Sequence, residues 1–79
     1  MKMKLNSREK KLMDDLAIGT DKETVKNPYS GESVELEPEA VALYDAIKGA
    51  EMLGDHQTVR LGQGIFIKNW ADAYMVLLD

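Results

Sequence analysis

Residues 36–54, LEPEAVALYDAIKGAEMLG, decide the fold of this chain, because their start, periodicity and end all predict one helix. Pro38 suits the first helical position, where its missing N–H would have no partner, and Glu37 is then the N-cap, although Glu is a poor one. Leu36 and Val41 stand at the positions of a hydrophobic staple, and Gly54 can end the helix in the left-handed conformation. The apolar residues between these signals recur at helical spacing: Ala40, Leu43, Tyr44, Ile47 and Ala50.

The length bounds what surrounds this helix. We expect residues 1–79 to form a single domain, and a chain of this size buries only about 60% of its unfolded surface, so its stability is marginal. The absence of Cys excludes disulfides and thiolate metal sites, and a single His cannot build a His-based site. No apolar run approaches the roughly 18 residues of a membrane span. These features predict a soluble, intracellular protein without a membrane role.

The net charge of −4 is distributed unevenly along the chain. Residues 1–11 carry five basic residues against Glu9, a charge of +4, whereas the remainder carries thirteen acids against five basic residues, a charge of −8. Phosphate contacts need clustered Lys or Arg, so we expect no direct nucleic-acid binding by the body of the domain. Residues 1–6 are expected to be a flexible basic tail.

A first helix is predicted from Ser7 to Ile18. Asn6 followed by Glu9 resembles a capping box, and apolar residues then repeat at helical spacing until Gly19. Asp14 can pair with Lys10 or Lys11 on the exposed face of this helix.

Residues 20–36 have no helical period and predict an irregular loop or a short hairpin. The segment Asn27-Pro28-Tyr29-Ser30-Gly31 is a turn with a physical basis. Pro28 presets its φ, Asn27 can accept hydrogen bonds from its own turn, and Gly31 tolerates a positive φ.

The C-terminal third leaves two alternatives open. Alternating Val59, Leu61, Ile65 and Ile67 around two glycines slightly favour a β-hairpin at 58–68, since each glycine costs a helix roughly 1 kcal/mol. Asn69 and Asp72 then indicate a capped helix from Trp70 to Leu78. One core is predicted from the apolar stripes: Leu43, Tyr44, Ile47, Phe66, Trp70, Ala73 and Leu77.

Three segments together resemble a group of small, uncharacterised proteins of tailed bacteriophages. They are the turn Asn27-Pro28-Tyr29-Ser30-Gly31-Glu32, residues 36–45, and Phe66, Trp70 and Tyr74 with the terminal Leu77-Leu78-Asp79. The resemblance implies a helical C-terminal half, which changes the preferred structure of 58–68 to a helix. The expected fold is therefore mainly α, with three or four short helices, and α+β with a hairpin at 58–68 is the alternative. The resemblance also implies an accessory protein in the cytoplasm of an infected bacterium.

The chain offers little material for catalysis, and we expect no enzyme and no cofactor. Ser7, Ser30 and Ser33 could share only His56, and none has the context of a catalytic nucleophile. Gly62-Gln63-Gly64 lacks the Lys-Ser/Thr of a phosphate-binding loop. The acidic pairs lack the spacing of a calcium loop, so no metal site is predicted.

A non-enzymatic interaction protein that binds and modulates a host protein is the leading functional hypothesis. Its candidate binding residues are Tyr29, on a turn outside any apolar stripe, and four acids of the 32–55 segment: Glu32, Glu35, Glu37 and Glu39. Complementary charge would speed association and select the partner. The alternatives are a self-associating component that forms a homodimer and an inhibitor that mimics nucleic-acid phosphate.

Overall fold

The computed structural model describes residues 3–78, which form four helices and one two-stranded antiparallel sheet. The elements follow in the order α1 (Ser7–Asp14), β1 (Glu23–Lys26), β2 (Ser33–Leu36), α2 (Pro38–Leu53), α3 (His56–Asn69) and α4 (Ala71–Leu77). The predicted mainly α fold with a short hairpin at 20–36 is confirmed. The alternative hairpin at 58–68 is wrong, since α3 covers this segment.

Helix α2 begins and ends where the sequence predicts. Glu37 is the N-cap without a side-chain hydrogen bond, Pro38 occupies the first turn, and Gly54 ends the helix with φ 73°. Leu36 is fully buried and Val41 packs beside the core, as the staple requires. Tertiary burial of Leu36 therefore holds a helix start that its N-cap residue leaves weak.

The core lies between α2, α3 and α4, with α1 and the hairpin closing its sides. Five predicted core residues are buried, and Tyr44 and Trp70 are half-buried against them. Phe66 and Trp70 contact each other with ring centroids 5.5 Å apart, a tilted aromatic pair. The buried hydrophobic cluster comprises Met13, Leu36, Ala40, Leu43, Ile47, Ile65, Phe66, Ala73 and Leu77.

Gly62 explains why α3 is a helix despite two interior glycines. A Cβ placed on Gly62 would lie 2.6 Å from Ile47 Cγ1 of α2, which is too close for two non-bonded carbon atoms. Glycine therefore permits the close approach of α2 and α3, and packing compensates for its weak helix propensity. Asp55 caps the start of α3 by accepting a hydrogen bond from Thr58 N at 3.2 Å.

Helix α1 ends earlier than predicted. The capping box is confirmed, because Asn6 Oδ1 accepts from Glu9 N and Glu9 Oε1 accepts from Asn6 N, both at 2.9 Å. The helix stops at Asp14 rather than Ile18. Ala17 and Ile18 are exposed, so no burial supports another turn there.

The predicted capping of α4 by Asn69 is wrong. Asn69 instead binds the N-terminal segment. Its Oδ1 accepts from Lys4 N at 2.7 Å, and its Nδ2 donates to Lys4 O at 3.1 Å and to Ile65 O at 2.9 Å. Trp70 becomes the residue between α3 and α4, so α4 begins at Ala71. Of the predicted tail, Met1 and Lys2 lie outside the described residues, whereas Met3 and Leu5 pack against the core.

Glu9 is buried and joins α1 to α3 through an ion pair with Lys68. Burial alone would raise the pKa of Glu9, but hydrogen bonds from Lys68 and from Asn6 N–H, with the Lys68 charge, hold that pKa below its ordinary value. The ionised form is therefore favoured by folding. This contribution is present at neutral pH and is lost as the pH falls through the lowered pKa.

We expect Glu9→Gln to lower the free energy of unfolding by about 1–2 kcal/mol at neutral pH, because Gln keeps the oxygen facing Asn6 but loses the charge facing Lys68. The loss should shrink as the pH falls below the ordinary pKa of a glutamate. Urea unfolding over a pH series measures both effects. Asp14→Asn is the matched control, since the Lys10–Asp14 pair at 2.9 Å is exposed and contributes about 0.5 kcal/mol or less. Equal losses in the two variants would contradict a larger stabilising role for the buried Glu9–Lys68 pair than for the exposed Lys10–Asp14 pair.

Candidate interaction surface

The turn between β1 and β2, Asn27–Gly31, is here called the hairpin tip, and its backbone is fixed by hydrogen bonds. Asn27 Oδ1 accepts from Tyr29 N at 2.8 Å, and Asn27 O accepts from Gly31 N at 2.9 Å. Gly31 has φ 80°, the left-handed conformation that glycine tolerates. The predicted turn is confirmed in each of these features.

The hairpin tip is also tied to the helical core. Asn27 Nδ2 donates to Val76 O of α4 at 2.8 Å, a contact between segments 49 residues apart in the chain. Met75, the neighbour of Val76, is 63% exposed. The tip is thus held on α4 by the same side chain that organises its turn.

Tyr29 projects from this fixed turn with 97% of its surface exposed. A tyrosine on a turn outside every apolar stripe could either pack over the helices or stay exposed, and Tyr29 is exposed. Tyrosine is intermediate between buried and exposed residue types, and none of residues 3–78 covers the Tyr29 ring. The ring is therefore available for contact with another molecule.

The four candidate acids differ in their exposure. Glu32 and Glu35 are exposed on the hairpin, and Glu35 Oε1 lies 3.9 Å from Lys22 Nζ. Glu37 and Glu39 are half-buried at the start of α2. The alternation of side chains along β2 explains the exposure of Glu35, because Val34 and Leu36 face the core and Glu35 therefore faces away.

A second surface, here called the basic cleft, lies between α1 and the first half of α3. It has a volume of about 790 Å³. Leu12 and Leu61 form its half-buried apolar floor, and it is lined further by Arg8, Lys11, Asp15, Gln57, Thr58 and Arg60. Sequence analysis noted the basic N-terminal segment but missed this cleft, because Arg60 comes from a distant part of the chain.

Three cations line the basic cleft without an ion pair to any carboxylate that the structure describes. Within residues 3–78, five Lys or Arg side chains have no carboxylate oxygen within 4.0 Å, and three of them line this cleft: Arg8, Lys11 and Arg60. They include both arginines of the chain. Arg binds carboxylates and phosphates in a two-pronged geometry that Lys lacks. The cleft is therefore suited to an acidic partner.

The residues considered for catalysis lie on different elements and form no convergent site among residues 3–78. His56 is exposed in the first turn of α3, and Ser30 and Ser33 lie on the hairpin. Hydrogen bonds from the Thr58 hydroxyl and the Thr58 N–H lower the pKa of Asp55, which is the helix cap. In the part of the chain that the structure describes, no group of three or more His, Asp or Glu side chains could hold a metal ion.

The fold and these surfaces define a small, mainly helical domain with one hairpin, an exposed aromatic side chain at the hairpin tip, and a basic cleft. Comparison with protein-family models, with curated proteins and with solved structures found no match. The resemblance to tailed-bacteriophage proteins therefore stays a prediction. Among residues 3–78, no helix is long and apolar enough to cross a membrane.

Proposed function

We propose that this chain is a non-enzymatic interaction protein that binds a protein partner through the hairpin tip. The observation that supports the proposal is the 97% exposure of Tyr29 on a turn with a fixed backbone. Tyrosine is enriched among the residues that dominate binding energy. A turn already ordered by Asn27 and tied to α4 loses little conformational entropy on binding, so more of the contact energy becomes affinity.

The exposed acids of the hairpin would select the partner. Glu32 and Glu35 lie on the same hairpin as Tyr29, and complementary charge would raise the association rate with a basic surface. Mimicry of nucleic acid is less well supported. Glu37 and Glu39 are half-buried, and the remaining acids do not approach the density of roughly one charge per 1.7 Å of duplex DNA.

The bacteriophage resemblance supplies the biological setting of this proposal. A small accessory protein in the cytoplasm of an infected bacterium would act on a host protein. The partner would present an apolar pocket for the Tyr29 ring with basic side chains nearby. No chemistry by the chain itself is required for this role.

Tyr29→Ala tests the hairpin tip directly. We expect this variant to keep the wild-type free energy of unfolding within about 0.5 kcal/mol, because an exposed side chain contributes little to folding. Binding to a partner captured from a bacterial lysate should weaken at least about tenfold, as for an interface anchor. Isothermal titration with the purified partner measures the change.

Two further variants sharpen this experiment. Tyr74→Phe is the control for loss of a tyrosine hydroxyl elsewhere, and it should bind as the wild type does. Glu32→Gln/Glu35→Gln should slow association and reduce its salt dependence while leaving most of the affinity. A partner that binds Tyr29→Ala as tightly as wild type would contradict the proposal. A steep salt dependence abolished only by the Gln pair would favour charge mimicry instead.

A further inference from the structure

Another exposed surface comprises the last three residues of α2 and the two residues before α3, residues 51–55, and is here called the α2–α3 corner. Met52 is 87% exposed and Leu53 is 86% exposed. The exposed acids Glu51 and Asp55 flank this pair. Two adjacent aliphatic side chains almost entirely in water forfeit the free energy that their burial would contribute. The corner is therefore an acidic projection with an apolar tip.

The basic cleft has the complementary properties. Leu12 and Leu61 offer apolar contact at its floor, and the unpartnered cations Arg8, Lys11 and Arg60 surround them, with Asp15 as the one acid in the lining. The corner is apolar at its tip and negative at its sides, whereas the cleft is apolar at its floor and positive at its rim. Surfaces of this kind attract each other and bury apolar area together.

The two surfaces are also neighbours. Asp55, the last residue of the corner, is the N-cap of α3, and Gln57 and Thr58 of the cleft follow in the first turn of that helix. Their proximity prevents one molecule from inserting its own corner into its own cleft. It does allow two molecules related by a two-fold axis to make both contacts at once, since such an interface pairs each patch with its complement on the other copy.

We propose that this chain forms a two-fold symmetric homodimer in which the α2–α3 corner of each copy docks into the basic cleft of the other. This inference goes beyond the proposed function, which uses the hairpin tip. A nucleic acid fits the cleft less well, because its lining contains no aromatic side chain for stacking and the chain carries a net charge of −4.

The first experiment is sedimentation equilibrium of the whole chain from micromolar to millimolar concentration. The average mass should rise from 8.8 kDa toward twice that value. Added salt should weaken the association without abolishing it, because only its charged part is screened. Met52→Ser/Leu53→Ser should raise the dimer dissociation constant at least about tenfold, whereas Met75→Ser, a change at an exposed Met elsewhere, should leave it unchanged.

A charge exchange tests which surfaces meet. Arg8→Glu/Arg60→Glu reverses the charge of the cleft. Glu51 Oε1 lies 3.4 Å from Lys48 Nζ, and Glu51→Arg changes the summed charge of the corner and Lys48 from −1 to +1, so each variant alone should dimerise more weakly than wild type. Mixed together, they should form a one-to-one heterodimer, because each corner then meets a cleft of opposite charge. Lys4→Glu/Lys26→Glu makes the same change of net charge as the cleft variant and should dimerise as wild type does. Wild-type urea unfolding curves would show that the variants are folded.

Three results would overturn the proposal. The first is a wild-type protein that stays monomeric at millimolar concentration, whether or not the same side chains bind vesicles of anionic lipid. The second is a cleft variant that dimerises like wild type. The third is a mixture in which the two reversed variants remain monomers.

Discussion

Gly62→Val is expected to lower the free energy of unfolding by about 3 kcal/mol, because the added side chain must occupy space already filled by α2. Its Cβ alone would lie 2.6 Å from Ile47 Cγ1 and 3.5 Å from Leu43 Cδ1. The gain in helix propensity over Gly is only a few tenths of a kcal/mol and cannot offset this overlap. For a domain with a total stability of about 5–15 kcal/mol, the loss is large. Urea unfolding followed by far-UV circular dichroism measures it.

Gly49→Val is the matched control for this prediction. Gly49 also lies inside a long helix, but its Cβ would meet no heavy atom of residues 3–78 within 4 Å apart from its chain neighbours and the adjoining helix backbone. The same substitution there should change the free energy of unfolding by about 0.5 kcal/mol or less. Similar large losses in both variants would mean that helix propensity, rather than the approach of α2 and α3, determines the result.

A double-mutant cycle identifies the clashing partner. Ile47→Ala alone should cost about 2–5 kcal/mol through the cavity it leaves. The Gly62→Val/Ile47→Ala double variant should lose less free energy of unfolding than the sum of the two single losses, because valine then fills space that isoleucine vacated. Strict additivity would show that the introduced valine does not meet the side chain at position 47.

The parts of the fold that sequence analysis predicted correctly are those specified by local chemistry. Pro38 and Gly54 delimit α2 by their own backbone preferences, and Asn27 organises its turn with its own side chain. The capping box of α1 likewise involves residues three apart. Signals of this kind act within a few residues, so they can be interpreted without knowledge of the rest of the fold.

The errors occur where distant parts of the chain meet. Gly62 counts against a helix locally, and only the packing of α2 on α3 turns it into a requirement. Asn69 has the chemistry of an N-cap, but Lys4 offers its side chain both a donor and an acceptor. α1 loses its last predicted turn because Ala17 and Ile18 stay exposed. Tertiary contacts override local propensity at Gly62 and Asn69, and their scarcity ends α1 early.

The candidate surfaces were predictable to different degrees for the same reason. Tyr29 stands outside every apolar stripe, so its exposure at the hairpin tip could be considered from sequence. The basic cleft needs Arg8 and Arg60 side by side, and no pattern within either helix reports their proximity.

Trp70→Ala is expected to cost about 3–5 kcal/mol, and Trp70→Phe about 1 kcal/mol or less. Trp70 is half-buried against the core and packs on Phe66 with ring centroids 5.5 Å apart, so its truncation removes an aromatic pair and leaves a cavity. Phenylalanine retains most of that contact. It also removes the indole Nε1, which is buried without a hydrogen-bond partner among residues 3–78, so the cost of burying that polar group disappears.

The Trp70 experiment needs a probe other than fluorescence, because Trp70 is the only tryptophan of the chain. Urea unfolding followed by far-UV circular dichroism serves for all three proteins. A Trp70→Ala variant that unfolds at the wild-type urea midpoint would show that Trp70 does not contribute to the core. If Trp70→Phe instead loses as much as Trp70→Ala, the indole N–H must donate a stabilising hydrogen bond in solution. A small loss for Phe beside a large one for Ala identifies Trp70 as a packing residue whose polar atom contributes nothing to folding.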